Sequence, residues 1–342
     1  MRAIYLQSHG RKDSIVIGER PQPEPGPGQL RVRLDYAAFN HVDLYMRDSG
    51  AGITHELPLT LGVDGVGRVD ALGPGVQGWQ QDDAVVIYPA HSCGHCEFCR
   101  RGEQMLCLSC KVIGEHIDGC FAEFVCVDEG MLFPLPRGMD PQSAVVLPTA
   151  YLTAWRMVMT QGRVGPADSV LIHGIGGGVS LASLQLAKLC GARVLATSSS
   201  GAKLERARAL GADATIDYRS EDVVKAVMQH TAGRGVDVVI DNVGEATWPA
   251  SLRSVRRGGR IVTCGATSGA HPSSDLQRLF IRQIRVYGST LGTQEEFRGL
   301  LSAAAGGFSP VVDRVFEFDA ALEAFDMLDR AAQCGKLVLR IG

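Results

Sequence analysis

The run Val170-Leu-Ile-His173, then Gly174-Ile-Gly-Gly-Gly178, then Val179-Ser-Leu-Ala-Ser-Leu-Gln-Leu-Ala-Lys-Leu189 most narrows what this chain can become. A short unbroken apolar run reads as a buried strand, the glycines as a turn, and the last run as a helix stopped by Gly191. The pattern then recurs. Strands are expected at 193–197, 214–216, 236–240, 260–264 and 284–287, with a helix over 203–210 ended by Gly211. Strands alternating with helices at this spacing predict a doubly wound parallel α/β sheet over residues 151–291.

Upstream of residue 150 the character differs. Leu30-Arg-Val-Arg-Leu34 alternates in polarity, Val66-Gly-Arg-Val69 follows two glycine turns, and Pro21, Pro23, Pro25 and Pro27 exclude helix. Helical pattern is sparse, so a β-rich domain is expected. After Gly292 come a helix around 295–305 and a closing strand, Lys336-Leu-Val-Leu-Arg340, expected to return to that domain. The organisation is therefore 1–150 plus 292–342 around 151–291, consistent with 342 residues as about two domains. With 45% hydrophobic and 21% charged residues the chain is globular, and a net charge of −3 argues against a nucleic-acid face. There is no run of 18 apolar residues and no signal-peptide core after Met1. The expectation is a cytoplasmic protein acting on a small molecule, without nucleic-acid or membrane partners.

A strand feeding a glycine turn and a helix offers backbone N–H groups to a pyrophosphate. Gly176, Gly177, Gly178 and Val179 form that turn, although Ser180 stands where the fingerprint's last glycine falls. The alternative is a tight turn with no ligand. The end of the second strand selects the nicotinamide cofactor, because a carboxylate there repels a 2′-phosphate. The chain reads Thr197-Ser198-Ser199-Ser200 and then Lys203, with no carboxylate before Glu205. NADP(H) is expected, against a merely polar turn beside a solvated lysine.

Of ten cysteines, Cys93, Cys96, Cys99 and Cys107 fall within fifteen residues and Cys110 just after. Four thiolates fill a tetrahedral zinc and leave no open position, so a lobe at 93–110 is expected to hold one structural Zn2+. Cys110 replacing one ligand remains open. Cys120, Cys126, Cys190, Cys264 and Cys334 read as core residues.

The cysteine lobe, the Gly176-Gly-Gly-Val179 turn, Gly114-Glu-His-Ile-Asp-Gly119 and Gly258-Gly-Arg-Ile-Val262 together resemble the medium-chain dehydrogenase/reductase superfamily of zinc alcohol dehydrogenases and quinone oxidoreductases. The resemblance implies a GroES-like catalytic domain around a Rossmann domain, an active site in the cleft between them, and homodimers or homotetramers through the strand at 284–287. It implies too that Thr153, Asn242, Val243 and Gly265 line the nicotinamide, with His41 against the pyrophosphate. The resemblance places the family's catalytic zinc ligands at Asn40, at Val63 of Val63-Asp64, and at Thr149, and neither Asn, Val nor Thr is a competent soft zinc ligand. Asn40-x2-Asp43-x-Tyr45-x-Arg47 is instead similar to the quinone-oxidoreductase branch, as are Lys203 and Tyr218, which that branch uses on the 2′-phosphate and adenine. Asp43 and Asp64 match acids beside the family's metal, and with no metal to serve they are expected to pair with a base such as Arg340.

On this reading Asn40, Asp43 and Tyr45 are the catalytic candidates. Asn40 and Tyr45 serve as donors to the oxygen of a quinone or α,β-unsaturated carbonyl that receives hydride from NADPH. Two other functions stay open: an alcohol or aldehyde dehydrogenase with unconventional zinc ligands, and a non-enzymatic NADPH-binding protein.

Overall fold

The computed structural model describes residues 1–10 and 12–342. By internal contacts the chain forms two units, Met1–Thr149 with Thr293–Gly342, and Ala150–Gly292.

In the first unit the long strand Gln29–Ala38 is the organising element. It pairs antiparallel with Asp64–Leu72, Phe124–Asp128 and Lys336–Arg340, and the last of these runs parallel to Val312–Phe316. It continues past Leu34 because Ala37 and Ala38, both fully buried, pair with Gly65 and Asp64 on one side and Leu339 and Val338 on the other. A Cβ at Gly67 would sit 2.0 Å from the Arg33 carbonyl oxygen, so only glycine allows this approach. Leu30, Val32 and Leu34 join Val69, Val85, Ile87 and Phe121 in one core.

The sparse helical pattern hides a helix at His41–Ser49. Its buried face carries Asp43 and Arg47 beside Leu44 and Met46, so charges interrupt the apolar period that marks a helix. The Asp43 carboxylate accepts the Asn40 backbone N–H at 2.7 Å, and Gly50, at φ +68°, closes the C-terminus with its N–H on the Met46 carbonyl. Arg47 makes two 2.9 Å bonds to Asp329, which anchor the helix to the chain's C-terminal part.

The second unit is the doubly wound sheet. Its strand order is Ala214–Asp217, Arg193–Ser198, Ser169–Ile172, Val236–Asp241, Val255–Thr263, Arg285–Gly288, all parallel. Ser169–Ile172 and Val236–Asp241 are buried throughout, as helices on both faces require. The fifth strand starts five residues earlier than its apolar core suggests, because a bulge carries Arg256-Arg257-Gly258-Gly259 between Val255 and Arg260. The sixth strand is displaced by one residue, to Arg285–Gly288. Among the described residues no helix is long and apolar enough to cross a membrane.

Candidate functional site

At the end of the first parallel strand the chain turns through Gly174, at φ +64°, and enters the Gly178–Leu189 helix from Gly177. Ser180 is completely buried. Its hydroxyl lies 2.9 Å from the His173 carbonyl and 3.2 Å from Asn242 Oδ1, so the hydroxyl replacing the fingerprint glycine is absorbed by acceptors already in place. A Cβ at Gly176 would lie 2.5 Å from Lys203 Cδ and 2.9 Å from its Nζ; the lysine therefore crosses directly over the turn. Ser198 ends the second strand with its Oγ accepting the Ser200 N–H, and its carbonyl accepts the Tyr218 N–H at 3.2 Å. The structure thus gathers Gly176, Gly177, Gly178, Val179, Ser198, Ser199, Lys203 and the Tyr218 backbone at the adjacent ends of the first two parallel strands.

Asn242 and Val243 approach the same turn. Val243 Cγ2 would be 3.1 Å from a Cβ on Gly174, and a Cβ on Gly265 would be 3.0 Å from the Asn242 carbonyl. The residue shaping this side is Asp241, which the sequence reading missed. Fully buried, it accepts the Val243 and Gly244 N–H groups and the hydroxyls of Thr247 and Ser251. An acid closing a buried strand, with hydroxyls six and ten residues on, was the available signal. Thr153 is buried on the Leu152–Trp155 helix, which packs against the Gly178–Leu189 helix.

In the first unit, the start of the His41–Ser49 helix meets a buried ion cluster. Lys336 Nζ donates to the Phe39 carbonyl and Asn40 Oδ1, both at 2.6 Å, and contacts Asp64 Oδ2 at 3.3 Å. Asn40 Nδ2 donates to Asp64 Oδ2 at 2.8 Å and to the Ala38 carbonyl at 3.2 Å. Asp43 and Asp64 are fully enclosed, and burial lowers the Lys336 ammonium's pKa against the pull of Asp64.

One expectation is corrected by this cluster. The base that pairs with Asp64 is Lys336, whereas Arg340 pairs with Glu317. Asn40 has both amide hydrogens engaged within the cluster, an arrangement that braces the helix start. Asp43 is enclosed and accepts the Asn40 and Gly62 amides at the same turn. Lys336 escaped the sequence reading because a lysine opening a strand normally reads as solvated. Of the catalytic candidates, Tyr45 stays exposed, its ring edge-on to the exposed His41 at 5.0 Å. Desolvation by neighbouring groups lowers the His41 pKa against the pull of Asp329 and Asp48.

Burial pushes the Asp43 carboxyl up to about 7, against the Asn40 and Gly62 amides and Lys336, which pull it down. An acid raised above its unfolded value of about 3.9 stabilises the fold below that pH and ceases to do so as pH climbs through the folded value. Thermal midpoints should therefore fall from pH 4 to pH 7, and Asp43→Asn should flatten that part of the profile. An unchanged slope in the variant would assign the fall to another group.

The lobe has little core of its own: within 93–110 only Cys107 is buried among the described residues. The sulfurs of Cys93, Cys96, Cys99 and Cys107 all lie within 4.8 Å of one another, with Cys93 and Cys99 3.9 Å apart. Zinc–sulfur bonds of about 2.3 Å space tetrahedral sulfurs about 3.8 Å apart, so the set fits zinc without Cys110. Backbone amides of Cys99 and Leu108 draw the Cys96 thiol down to about 6, favouring the ligating thiolate. Cys99→Ser should remove one zinc per chain by elemental analysis and lower the thermal midpoint; a variant that keeps its zinc would exclude Cys99 as a ligand. The positions matching the family's catalytic zinc do not fit. Val63 has no ligand atom, Asn40 is fully bonded, and Thr149 presents a buried hydroxyl without a partner.

The alcohol dehydrogenase GroES-like domain family matches residues 26–137 and the zinc-binding dehydrogenase family residues 178–306. The NAD-dependent alcohol dehydrogenase of Sulfurisphaera tokodaii is 30% identical over 99% of both chains, and that of Sulfolobus acidocaldarius 31% over the full length of both. The chain belongs to the zinc-type medium-chain dehydrogenase/reductase superfamily. A crystal structure of an NAD-dependent alcohol dehydrogenase is 41% identical with a TM-score of 0.96, each chain fully covered. The alcohol dehydrogenase from Aeropyrum pernix aligns with a TM-score of 0.93 at 30% identity, over 99% of this chain and 100% of its own. The first unit is thus the superfamily's GroES-like domain and the second its Rossmann domain, and relatives of this kind are pyridine-nucleotide oxidoreductases.

Proposed function

We propose that this chain is an NADPH-dependent reductase of quinones or α,β-unsaturated carbonyls whose reaction needs no catalytic metal. The observation that carries the reading is the bonding of Asn40, whose oxygen is taken by Lys336 and whose amide hydrogens are taken by Asp64 and Ala38. A cation–amide–carboxylate cluster fills the place where relatives use a metal ligand, and a dication added there would meet the Lys336 ammonium. An unactivated alcohol gains most from a Lewis acid, whereas an acceptor conjugated to a carbonyl delocalises the charge it receives.

NADPH is favoured by Ser198 at the strand end and by Lys203 over the Gly176 turn. The turn's amides and the Gly178–Leu189 helix N-terminus suit the pyrophosphate. Lys203, Ser198 and Ser199 suit the 2′-phosphate, and Tyr218 suits the adenine. When bound, the reduced nicotinamide supplies the hydride. The Tyr45 hydroxyl is the protein's donor to the acceptor oxygen, held on the exposed face of its helix beside the His41 ring. Tyr45→Phe should lower kcat by about 10²-fold, the usual weight of a single acid, while leaving the KM for NADPH unchanged. Unchanged turnover would remove Tyr45 from the reaction.

The rival reading is an NAD-dependent alcohol dehydrogenase, favoured by the names of the relatives above. Steady-state rates separate the two. The proposal expects NADPH oxidation by quinones and enones and no NAD+ reduction by alcohols; the opposite pattern overturns it.

A further inference from the structure

His9 and His55 face each other across the C-terminal end of the His41–Ser49 helix. His9 Nδ1 bonds the Met46 carbonyl and His55 Nδ1 the Ile53 carbonyl, both at 2.7 Å. A carbonyl oxygen only accepts, so each Nδ1 carries a hydrogen, and in the neutral rings each Nε2 presents a lone pair. The two Nε2 atoms are 3.0 Å apart, with ring centroids 5.0 Å apart and planes at 89°. Two lone pairs at that distance repel unless a cation lies at both. An Nδ1–H held by a backbone carbonyl is also the arrangement that orients a metal-ligating histidine.

The space is built for the pair. Gly50, at φ +68°, passes so close that a Cβ would lie 2.9 Å from His55 Cε1 and 3.3 Å from His9 Nε2. Both rings are half-buried, and His55 also lines a surface cavity with Glu56, His116 and Asp118. His116 accepts the Val112 N–H through Nδ1, which leaves its neutral ring a hydrogen, not a lone pair, at Nε2.

The geometry points to a two-histidine site for a late first-row divalent ion, separate from the cysteine lobe. With metal–nitrogen bonds of about 2.0–2.1 Å, a 3.0 Å separation subtends about 94° at the ion, the cis angle of a square or octahedral centre. Among the described residues no third histidine, cysteine or carboxylate joins the pair, so water fills the other positions. Copper(II) therefore binds more tightly than zinc.

The test is calorimetric titration of the zinc-loaded chain with Cu2+ and with Zn2+. The expected result is one equivalent beyond the lobe, Cu2+ at least tenfold tighter, with His9→Gln and His55→Gln each weakening it at least tenfold. In the unsubstituted chain, imidazole 15N spectra should show the Nε2 signals of both rings shifting with Zn2+. The proposal is overturned by absence of the extra equivalent, by its survival in both variants, or by a ring pair that titrates a shared proton and ignores the metal.

Discussion

Replacing Lys336 with methionine should destabilise the protein by about 3–5 kcal/mol, the cost of stripping the partner from a buried ion. The lysine is 4% exposed, and Asp64, fully enclosed, already has one carboxylate oxygen without a partner. Without the ammonium, Asp64 keeps a single amide bond from Asn40, and Asn40 Oδ1 and the Phe39 carbonyl lose their donor. The whole start of the His41–Ser49 helix is affected. Urea denaturation of the full chain reads the loss, and adding Asp64→Asn should recover much of it by removing the orphaned charge. If Lys336→Met unfolds at the wild-type denaturant concentration, the cluster does not hold the helix as described.

The second large effect concerns the cofactor. Ser198→Asp should turn the preference from NADPH towards NADH, with kcat/KM for NADPH falling about 10–100-fold. Two like charges 4 Å apart repel by about 4 kcal/mol at an effective dielectric of 20, and counterions around the 2′-phosphate reduce this to about 1.4–2.8 kcal/mol. NADH, with a ribose hydroxyl in place of the phosphate, gains an acceptor and should not lose. A variant with the wild-type ratio would show that no 2′-phosphate sits at Ser198.

The parallel sheet was legible because its strands are buried on both sides, so Val170-Leu-Ile172 and Val236–Ile240 are continuous apolar runs that need no context. The cysteine lobe was legible for a different reason: its spacing encodes a tetrahedron directly. The helix at His41–Ser49 was not, since its inward face is half charged and its Asp43 and Arg47 only make sense beside Asp329 and Gly62, far away in sequence. The same holds for the cluster around Asn40. Residue types at 40, 43 and 64 showed what the site lacks as a metal centre, but the base that completes it comes from the other end of the chain. Arg340 and Lys336 are equally plausible in sequence and lie four residues apart on one face of the same strand; position along the strand decides between them, since Lys336 opens it in the buried interior and Arg340 ends it at the exposed edge, paired to Glu317.

The most direct test of the central claim is zinc content per chain after passage over a chelating resin, which strips a solvent-accessible two-histidine site but not a four-cysteine lobe. The account predicts one zinc, absent from Cys99→Ser, in a protein that reduces enones with NADPH. A second tightly held zinc that persists in a chain carrying both His9→Gln and His55→Gln would contradict it and place a metal in the reaction site.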